Sequence, residues 1–577
     1  MVKEPLRSSE LPRNVELAEQ FDLLADLMEL EGSDPFRIAA YRRAATRIRE
    51  TGSSVAQMAL DGRAKELQGI GKTIEEKIVQ VVEDGEIHAL TKRKEEVPAE
   101  VASFMHLPGL GPKTARRIWQ ELGITTVAGL REAAENQRLR DLGGLGAKSE
   151  ERILAALSKP QATEAPRRAL LGSVLPRLRE LAETIAAHPA AVEVSIAGSA
   201  RRYRETVRDL DLIATATDAP ALIAAFCEQP WVVEVAARGD TKATVIGQDG
   251  LRFDLRVVPP ECYGNLLQHF TGSKDHNVAL REAAQRQGHS VSEYGVTEVE
   301  SGTVHAFATE EEVYRFLGYA WIPPELRENG GELDAAKNGT LPELVELSDL
   351  RGDLHTHTTW SDGKDTLEAM VAEAIHLGYS YYAICDHSHR LRGALLEQQA
   401  EAIDRLATRV SIRLLKGVEV NIRVNGELDM PEEELAGLDW VVASAHSSFD
   451  KDPTGRVLAA MENPYVDCIG HLTGRKIGRR DPAAVDIERV IEKAIETGTF
   501  LEINSQPDRL DLSDVHARAA REAGLKLVID SDAHQTAALR YVELGVGQAR
   551  RAWLTKDDVV NTHTWKQIER LRKRRPT

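Results

Sequence analysis

Cysteine is scarce in this chain of 577 residues. The four cysteines, Cys227, Cys262, Cys385 and Cys468, are scattered and form no CxxC pair. This spacing argues against a structural zinc ribbon and fits a reducing compartment. We therefore expect a cytoplasmic protein.

Long apolar stretches are also missing. No apolar run approaches the ~20 residues that a membrane span needs, and the opening residues, MVKEPLRSSELPRN, lack the apolar stretch of a secretory signal. Charged residues make up 28% and hydrophobic residues 42% of the chain, as in globular domains. The length suits several such domains, and we expect no membrane partner.

Positive charge is in deficit, since 73 Lys and Arg face 91 Asp and Glu, for a net charge of -18. This balance argues against a wholly basic nucleic-acid binder. It leaves room for local basic grooves, and some of the many acids can be metal ligands.

Two aspartates stand two positions apart and predict a cation site. Asp209 and Asp211 bracket one leucine and point to the same side of a strand. Asp254 lies in a later strand, Phe-Asp-Leu-Arg, and we expect it to lean toward this pair. A buried strand aspartate without a metal would be costly. The three carboxylates predict Mg²⁺ or Mn²⁺ carrying a phosphate, with a solvated strand edge as the alternative.

A Gly-Ser turn precedes these aspartates. Gly198 and Ser199 follow the strand pattern Val192–Ala197 and open a helix, so backbone N–H groups and a hydroxyl are available to phosphate oxygens. Arg202 adds positive charge to that cradle. The DxD pair alone is a short motif, and the turn and arginines strengthen the phosphate-binding prediction.

One small motif occurs three times before residue 150, as LQGIGKT, LPGLGPKT and LGGLGAKS, each time before a helical pattern. Two glycines around an apolar residue make a tight turn that leaves N–H groups free for a phosphate oxygen. A P-loop fails for GIGKT because Glu66 stands where its first glycine belongs. Packing-only glycines are the alternative, which three copies disfavour. The predicted DNA-binding glycines are Gly69, Gly71, Gly109, Gly111, Gly144 and Gly146. A Pro-bearing break, Ser158–Pro166, predicts a hinge.

Strand and helix patterns alternate in the C-terminal part and predict a parallel α/β barrel. The strand-like runs are Gly352–His357, Tyr381–His387, Leu414–Val420, Trp440–His446, Val466–Leu472, Phe500–Asn504 and Leu525–His534.

Metal-binding side chains gather at the ends of these runs, where barrel active sites lie. A single histidine there is more often a hydrogen-bonded core group, but convergent histidines and acids favour a metal site. With N and O ligands and no cysteine, the expected ions are Mn²⁺, Zn²⁺ or Fe²⁺. The predicted ligands are His355, His357, Asp362, His387, Glu419, His446, His471, Asp532 and His534. We expect Glu502 and Asn504 to be neighbours rather than ligands.

The chain before the barrel resembles the family X DNA polymerases, nucleotidyltransferases that fill short gaps. The resemblance rests on GSxRR, DxD, the later aspartate and the TGS turn. It implies that the aspartate triad holds two metals and that Ser199 and Arg202 bind the incoming triphosphate. It also implies that Gly272 lies beside the sugar and that Asn277 and Arg281 contact the minor groove.

Two positions depart from the family pattern. Arg208 stands where glycine is common, which leaves the local triphosphate geometry open. His269 stands where tyrosine is common, which leaves the discrimination between deoxy- and ribonucleotides open.

The three glycine turns resemble the helix-hairpin-helix motif, which grips the DNA backbone without reading bases. The first helices resemble the lyase and gap-binding domain of family X. Lys77 falls at the Schiff-base position, but Thr73 and Phe36 replace the basic or histidine neighbours of members with strong lyase activity. A solvated helix lysine is the alternative.

The motifs HTHTTWSDG, DH, GVEVN, AHS, GH and DSDAH resemble the polymerase-and-histidinol-phosphatase (PHP) domain over residues 349–570. The resemblance implies a three-metal site that hydrolyses phosphoesters, with Glu419 as a bridging carboxylate. The basic loop Thr473–Arg480 follows a ligand, and we expect it to hold the DNA backbone.

The order of parts resembles that of bacterial PolX enzymes. It predicts all-α helix-hairpin-helix domains, an α+β nucleotidyltransferase palm and thumb, and a seven-stranded α/β PHP barrel. The predicted domains are a lyase-like part at 1–86, fingers at 87–162, palm at 163–260, thumb at 261–325, linker at 326–348 and PHP domain at 349–577.

The resemblance further implies a cytoplasmic, monomeric repair enzyme that acts on gapped or 3′-recessed DNA with dNTPs. It implies a Mn²⁺-dependent 3′-5′ exonuclease in the PHP domain, with abasic-site endonuclease or lyase activity left open. One alternative is a nucleotidyltransferase fused to a small-molecule phosphatase, which leaves the glycine turns idle. The other is a non-catalytic scaffold for DNA ends, which leaves both metal constellations unexplained.

Overall fold

The computed structural model describes residues 11–12, 14–50, 55–67, 69–105, 110–142, 145–146, 150, 153–154 and 168–573. The chain divides into two compact units, Met1–Ala165 and Pro166–Thr577. The predicted glycines Gly109 and Gly144 and the break Ser158–Pro166 lie outside the described residues. Within the described part, no helix has both the length and the apolar character to cross a bilayer.

The first unit is helical, as predicted. Leu17, Phe21, Leu24 and Met28 recur at helical spacing on its first helix and are almost fully buried, so one face of that helix drives its packing. The described helices are α1 Asn14–Glu31, α2 Pro35–Glu50, α3 Val55–Leu60, α4 Lys72–Asp84, α5 His88–Glu96, α6 Ala99–Phe104, α7 Pro112–Leu122 and α8 Val127–Glu135.

The second unit contains a five-stranded sheet of order β2 (Ala191–Ile196), β4 (Asp209–Ala216), β7 (Arg252–Val258), β6 (Lys242–Gly247) and β5 (Val232–Arg238). Strands β4 and β7 lie side by side and run parallel, and β6 and β7 form the predicted antiparallel hairpin. The elements are β1 Ala169–Leu170, α9 Leu171–Ala186, β2 Ala191–Ile196, α10 Gly198–Arg201, β3 Thr206–Val207, β4 Asp209–Ala216, α11 Ala219–Cys227, β5 Val232–Arg238, β6 Lys242–Gly247 and β7 Arg252–Val258.

A smaller α+β segment follows the sheet. It carries α12 Tyr263–Thr271, α13 Lys274–Gln285, β8 His289–Ser292, β9 Gly295–Glu298, β10 Val304–His305, α14 Glu310–Phe316 and α15 Glu332–Asn338. The predicted linker, residues 326–348, is folded rather than extended. Leu326 and Ala336 are buried in the same apolar cluster as Leu280 and Tyr314. The polar, Gly-bearing composition of this stretch hides those few apolar anchors.

The C-terminal part is a parallel seven-stranded sheet whose strands pair in chain order. An isolated parallel bridge between Thr356 and Ala533 joins the first strand to the last, so the sheet curls into a nearly closed barrel. Its strands are β11 Gly352–Asp353, β12 Tyr381–Ile384, β13 Arg413–Asn421, β14 Trp440–Ser444, β15 Cys468–Ile469, β16 Phe500–Asn504 and β17 Leu527–Asp530. The predicted fold class is confirmed.

Helices between successive strands and after the last strand cover the barrel. They are α16 Leu367–His376, α17 Ala394–Ala407, α18 Glu432–Ala436, α19 Pro453–Glu462, α20 Ile487–Thr497, α21 Asp514–Glu522, α22 Val542–Arg551 and α23 Trp565–Leu571. Several predicted strand runs extend past the strands themselves, because the ligand-bearing residues leave the ladder and turn into loops at the barrel mouth.

Candidate metal centres and nucleic-acid interface

The three predicted carboxylates come together on two adjacent strands. Asp209 and Asp211 lie on β4, Asp254 lies on β7, and Asp211 and Asp254 are direct register partners. The intervening Leu210 is 1% exposed on the opposite face of β4, as the two-residue strand period requires. Alternation of apolar and acidic residues thus creates an oxygen-rich ledge above a buried sheet face.

The surroundings of Asp211 disfavour a bare negative charge. Burial, followed by the nearby charges of Asp254 and Asp209, raises the pKa of Asp211 to about 7. Gly198 begins α10 with φ of +64°, and a Cβ at this position would overlap the Asp211 carboxylate. The turn at Gly198 and the Asp211 carboxylate are therefore in close contact. Clustered acids of this kind are suited to a divalent cation.

Two further residues that the sequence analysis missed contact this ledge. Arg252 Nε lies 2.9 Å from Asp254 Oδ2 and 3.8 Å from Asp209 Oδ1, and the Thr244 hydroxyl donates to Asp254. Arg252 is two residues before Asp254 on one strand, so the period of two places both on one face. That spacing was the available signal.

Arg202 is largely buried, with its side chain 12% exposed. Its Nε donates to Glu328 Oε1 over 3.0 Å, its Nη1 donates to the carbonyl of Thr271, and a Cβ on Gly272 would lie 3.1 Å from the same nitrogen. Ser199 is half-buried on α10. The predicted triphosphate arginine and the predicted sugar-side glycine are therefore neighbours.

The predicted minor-groove residues are anchored at the end of α12. Asn277 donates to the carbonyl of His269 over 2.7 Å and accepts from Gln268 over 2.9 Å. Arg281 Nη2 lies 3.1 Å from His269 Nδ1. His269, which departs from the family pattern, thus holds both residues, and its burial lowers its pKa. Arg208 is more than half exposed, 3.9 Å from Asp209.

At the barrel mouth, the predicted ligands form three overlapping groups in which donor atoms lie within 4.8 Å of one another. The groups are His357, Asp362, His387 and His534; His355, His357 and Asp532; and His387, Glu419 and His446.

Glu419 lies at the centre of these groups. Its Oε1 is 3.2 Å from His446 Nε2 and 3.1 Å from His471 Nε2, and its Oε2 is 2.9 Å from His387 Nδ1. Burial opposes its charge, yet the surrounding histidines keep the pKa of Glu419 well below its usual range. A carboxylate with histidines on both oxygens has the arrangement of a bridging ligand. His471 joins the cluster through this contact and belongs to none of the three groups.

Several imidazole nitrogens in this cluster are buried without a hydrogen-bond partner. They include Nε2 of His355 and both ring nitrogens of His357. Unpartnered buried polar atoms are costly, and neutral imidazoles with carboxylates are the donor set of Mn²⁺, Zn²⁺ and Fe²⁺ sites. The backbones of His471 and Asp532 have φ of +26° and +51°, and such strain is typical of functional sites. The residues present fit a metal centre.

Glu502 and Asn504 hold the ligands in place from β16. Glu502 accepts a hydrogen bond from His355 Nδ1 over 2.6 Å and another from the backbone N–H of His471. Asn504 donates to Asp532 Oδ2 over 3.0 Å. Carboxylate and amide partners of this kind fix the tautomer and orientation of metal ligands.

The basic loop Thr473–Arg480, which we expect to hold the DNA backbone, also makes contacts within the protein. Arg475 pairs with Glu205 of the five-stranded sheet segment over 2.7 Å, and Lys476 pairs with Asp508 over 2.9 Å. Arg480 lies over the Phe449 ring. Most of the loop's charge is therefore satisfied within the protein, which sequence alone cannot show.

The described glycines of the repeated motif face open space. Gly71 and Gly111 are the N-cap residues of α4 and α7, with nearly identical backbone angles (φ/ψ of -88°/175° and -83°/172°). A Cβ added at either position, or at Gly69 or Gly146, would meet no atom within 4 Å. Packing does not require these glycines, whereas approach of an outside backbone to the helix N-terminus would.

Lys77 lies half-exposed on α4. Phe36, at a position where lyase-active members have a basic or histidine residue, is 85% exposed.

Four family models match the chain. They are the helix-hairpin-helix domain at residues 12–87, the SAM-like helix-hairpin-helix tandem at 102–159, the DNA polymerase beta thumb at 266–328 and the PHP domain at 353–506.

Known proteins resemble the chain over different spans. The DNA polymerase/3'-5' exonuclease PolX of Bacillus subtilis is 40% identical over 566 residues, covering 96% of this chain and 98% of the relative. DNA polymerase lambda of Rattus norvegicus is 24% identical over 343 residues, covering 55% of this chain and 56% of the relative. A probable phosphatase of Thermoanaerobacter is 33% identical over 238 residues, covering 39% of this chain and 95% of the relative.

Proposed function

Because the chain belongs to the bacterial PolX family, the family X DNA polymerases with a PHP domain, we propose that it fills short gaps in DNA and trims 3′ ends at a separate site. The observation that carries this proposal is the presence of two distinct acid-rich centres in one chain. One is the aspartate ledge on β4 and β7, and the other is the histidine cluster at the barrel mouth. The two centres predict nucleotide addition and phosphoester hydrolysis, respectively.

At the first centre, Asp209, Asp211 and Asp254 would hold Mg²⁺ or Mn²⁺, and the bound ion would supply charge neutralisation at the triphosphate and activation of the primer 3′-hydroxyl. The backbone N–H groups and hydroxyl at Ser199 face the triphosphate from the start of α10. Arg202 adds a fixed positive charge, and its hydrogen bond to the carbonyl of Thr271 keeps it beside Gly272. The chain's own contribution is to bind and orient a nucleotide against the three carboxylates.

At the second centre, the barrel ligands would hold a cluster of ions, for which we propose three Mn²⁺, and the bound ions would supply activation of a water for phosphoester hydrolysis. Glu502 and Asn504 keep His355 and Asp532 oriented. The substrate is the terminal phosphodiester of a 3′-recessed strand, or a 3′ blocking phosphate.

For DNA binding, we propose that the N-termini of α4 and α7 bind backbone phosphates beside the motif glycines, Gly69 and Gly71 for α4 and Gly109 and Gly111 for α7. Because these contacts do not read bases, binding is independent of sequence. The chain acts as a monomer in the cytoplasm. Lys77 remains the candidate Schiff-base residue for a weak abasic-site lyase activity, and borohydride trapping on incised abasic DNA, compared with Lys77→Ala, tests it.

The test is a gapped-duplex assay with dNTPs, with Mg²⁺ or Mn²⁺, on wild type and two single-site variants. We expect Asp209→Ala to abolish nucleotide incorporation and to leave 3′ trimming intact, and His355→Ala to do the reverse. Asp240→Ala and His376→Ala, both at exposed positions, are the matched controls. Loss of both activities in either site variant would contradict the two-centre proposal.

A second candidate, favoured by the similarity to a probable phosphatase, is hydrolysis of a small phosphate monoester at the barrel. Turnover of histidinol phosphate is compared with trimming of a 3′-recessed duplex. Faster turnover of the small ester, with no trimming of the duplex, would favour this candidate.

A further inference from the structure

The barrel helix α22 contacts the segment that directly follows the nucleotide motif. One face of α22 carries Glu543, Gly547 and Arg551 at four-residue spacing, so the three lie in a row. This row faces Arg202 and Tyr203, which lie between α10 and β3. A helix that belongs to one centre therefore touches the residues that shape the other.

Arg551 is the residue of this row that contacts Arg202. Its side chain is 3% exposed, and its Nη1 donates to the carbonyl of Arg202 and to Glu328 Oε1, both over 2.9 Å. The same Glu328 oxygen accepts from Arg202 Nε over 3.0 Å. Arg551 Nη2 donates to Asp514, on α21 of the barrel, over 2.6 Å. Arg551 thus holds both the backbone and, through Glu328, the guanidinium of Arg202.

Tyr203 is fixed by the rest of the row. Its hydroxyl donates to Glu543 Oε1 over 2.6 Å, and Arg179 also pairs with that carboxylate. A Cβ on Gly547 would overlap the Tyr203 ring, so only glycine permits this approach. Glycine inside a helix is otherwise unfavourable, which gives Gly547 a specific reason to be there.

We propose that Arg551 of the barrel is a positioning residue for nucleotide addition, because it fixes Arg202 where the triphosphate binds. This inference rests on the proposed polymerase function and extends it. Arg202 has φ of -83° at the end of α10, and Tyr203 has φ of +53°, a conformation that non-glycine residues adopt only when neighbours impose it. The row of Glu543, Gly547 and Arg551 on α22 supplies those neighbours. The barrel is therefore part of the nucleotide site.

The test measures both activities of the full-length chain after Arg551→Met, which keeps the apolar stem and removes the guanidinium. Loss of charged hydrogen bonds to Arg202 and Glu328 is expected to raise the KM for dNTP about tenfold. The exonuclease rate on a 3′-recessed duplex without dNTPs is expected to stay unchanged. Arg551→Lys restores the charge without the forked geometry, and we expect partial recovery.

Two further variants complete the design. Gly547→Ala removes no charge but displaces Tyr203, and the same selective rise in the KM for dNTP is expected. Arg540→Met, at a side chain 63% exposed that pairs with Glu373, is the control and should change neither activity.

Selective loss of dNTP binding in both Arg551→Met and Gly547→Ala supports the inference. If wild type incorporates dNTPs and Arg551→Met has the same KM, the inference is overturned. A parallel fall of exonuclease and polymerase would overturn it as well, because it would indicate general damage to the barrel. If wild type itself incorporates no dNTP, the proposed polymerase function fails, and the inference fails with it.

Discussion

At the scale of single residues, the arrangement of the three aspartates requires a residue without a Cβ at position 198. Gly198 lies so close to Asp211 that a Cβ would overlap its carboxylate, and its φ of +64° lies in the region that glycine favours. Gly250 also has a positive φ, +76°, but faces open space. Comparing substitutions at Gly198 and Gly250 therefore distinguishes the effect of backbone strain, which both positions share, from the effect of a clash with the Asp211 carboxylate, which only Gly198 has.

Gly198→Ala is expected to lower nucleotide incorporation by about 100-fold, because displacing a catalytic group by about an ångström has that effect. Trimming at the barrel should be unchanged. Gly250→Ala bears a similar backbone penalty and should keep full incorporation. Primer-extension rates on a gapped duplex measure both variants, and equal rates for the two would contradict the role of the contact.

Glu310 gives the α+β segment a predictable response to pH. It is 3% exposed. Burial raises the pKa of Glu310, but ion pairs with Arg327 and Arg201 outweigh burial and lower it to about 2 from an ordinary value of 4.5. A carboxyl with a depressed pKa stabilises the fold above its ordinary pKa, and that contribution disappears as the pH falls toward its folded-state pKa.

We therefore expect local stability of this segment to fall between about pH 4.5 and pH 2, by on the order of 3 kcal/mol. Hydrogen exchange of peptides spanning residues 310–328 reports that opening. Glu310→Gln should open more readily than wild type at pH 7, and the difference should shrink as the solution is acidified. A difference that stays constant across the range would contradict the assignment of Glu310.

At the scale of secondary-structure elements, the strands and their ligands follow from the sequence, while contacts between distant elements do not. Two-residue alternation placed Asp209 and Asp211 on one side of β4, and strand ends placed the barrel ligands together. The loop Thr473–Arg480 looked free and basic, yet Arg475 is paired with Glu205. A local sequence pattern cannot predict an ion pair between residues that are 270 positions apart in the chain.

The glycine turns are elements whose role depends on open space. Gly71→Val is compatible with φ of -88°, and a Cβ at this position would meet no described atom within 4 Å. Its methyl groups would instead block a phosphate from the N-terminus of α4. We expect weaker binding of gapped DNA, equally for different sequences, in fluorescence anisotropy.

The control for this variant is Gly437→Val, at a barrel glycine of similar φ, -81°, where an added Cβ would meet only the carbonyl oxygen of Glu434, at 3.7 Å. It should bind DNA as wild type does. Equal affinity of Gly71→Val and wild type would refute the phosphate role of the first turn.

At the scale of the whole molecule, the glycine turns proposed to bind DNA and the two acid-rich centres belong to different compact units. The described residues of Met1–Ala165 have their own apolar cluster, and both acid-rich centres lie in Pro166–Thr577. Family resemblance predicted the sequence of parts, but the folding of residues 326–348 against the preceding segment emerged only from their packing.

A chain limited to residues 166–577 is expected to keep trimming activity on a short 3′-recessed duplex. Its affinity for gapped DNA should fall about tenfold or more, with a shallower dependence of affinity on salt, because phosphate contacts are lost. Anisotropy titrations at several salt concentrations measure both. An unchanged salt dependence would place the main DNA contacts in the second unit.

The row of residues on α22 also bears on how the protein is made. The ribosome completes Gly198–Val258 long before it reaches Val542–Arg551, so a nascent chain exposes all three aspartates while Arg202 and Tyr203 still lack their anchors. Nucleotide affinity would mature only after Val542–Arg551 has been synthesised and packed against Arg202 and Tyr203. A message truncated before α22 would yield a chain that carries the complete catalytic motif yet holds its substrate poorly.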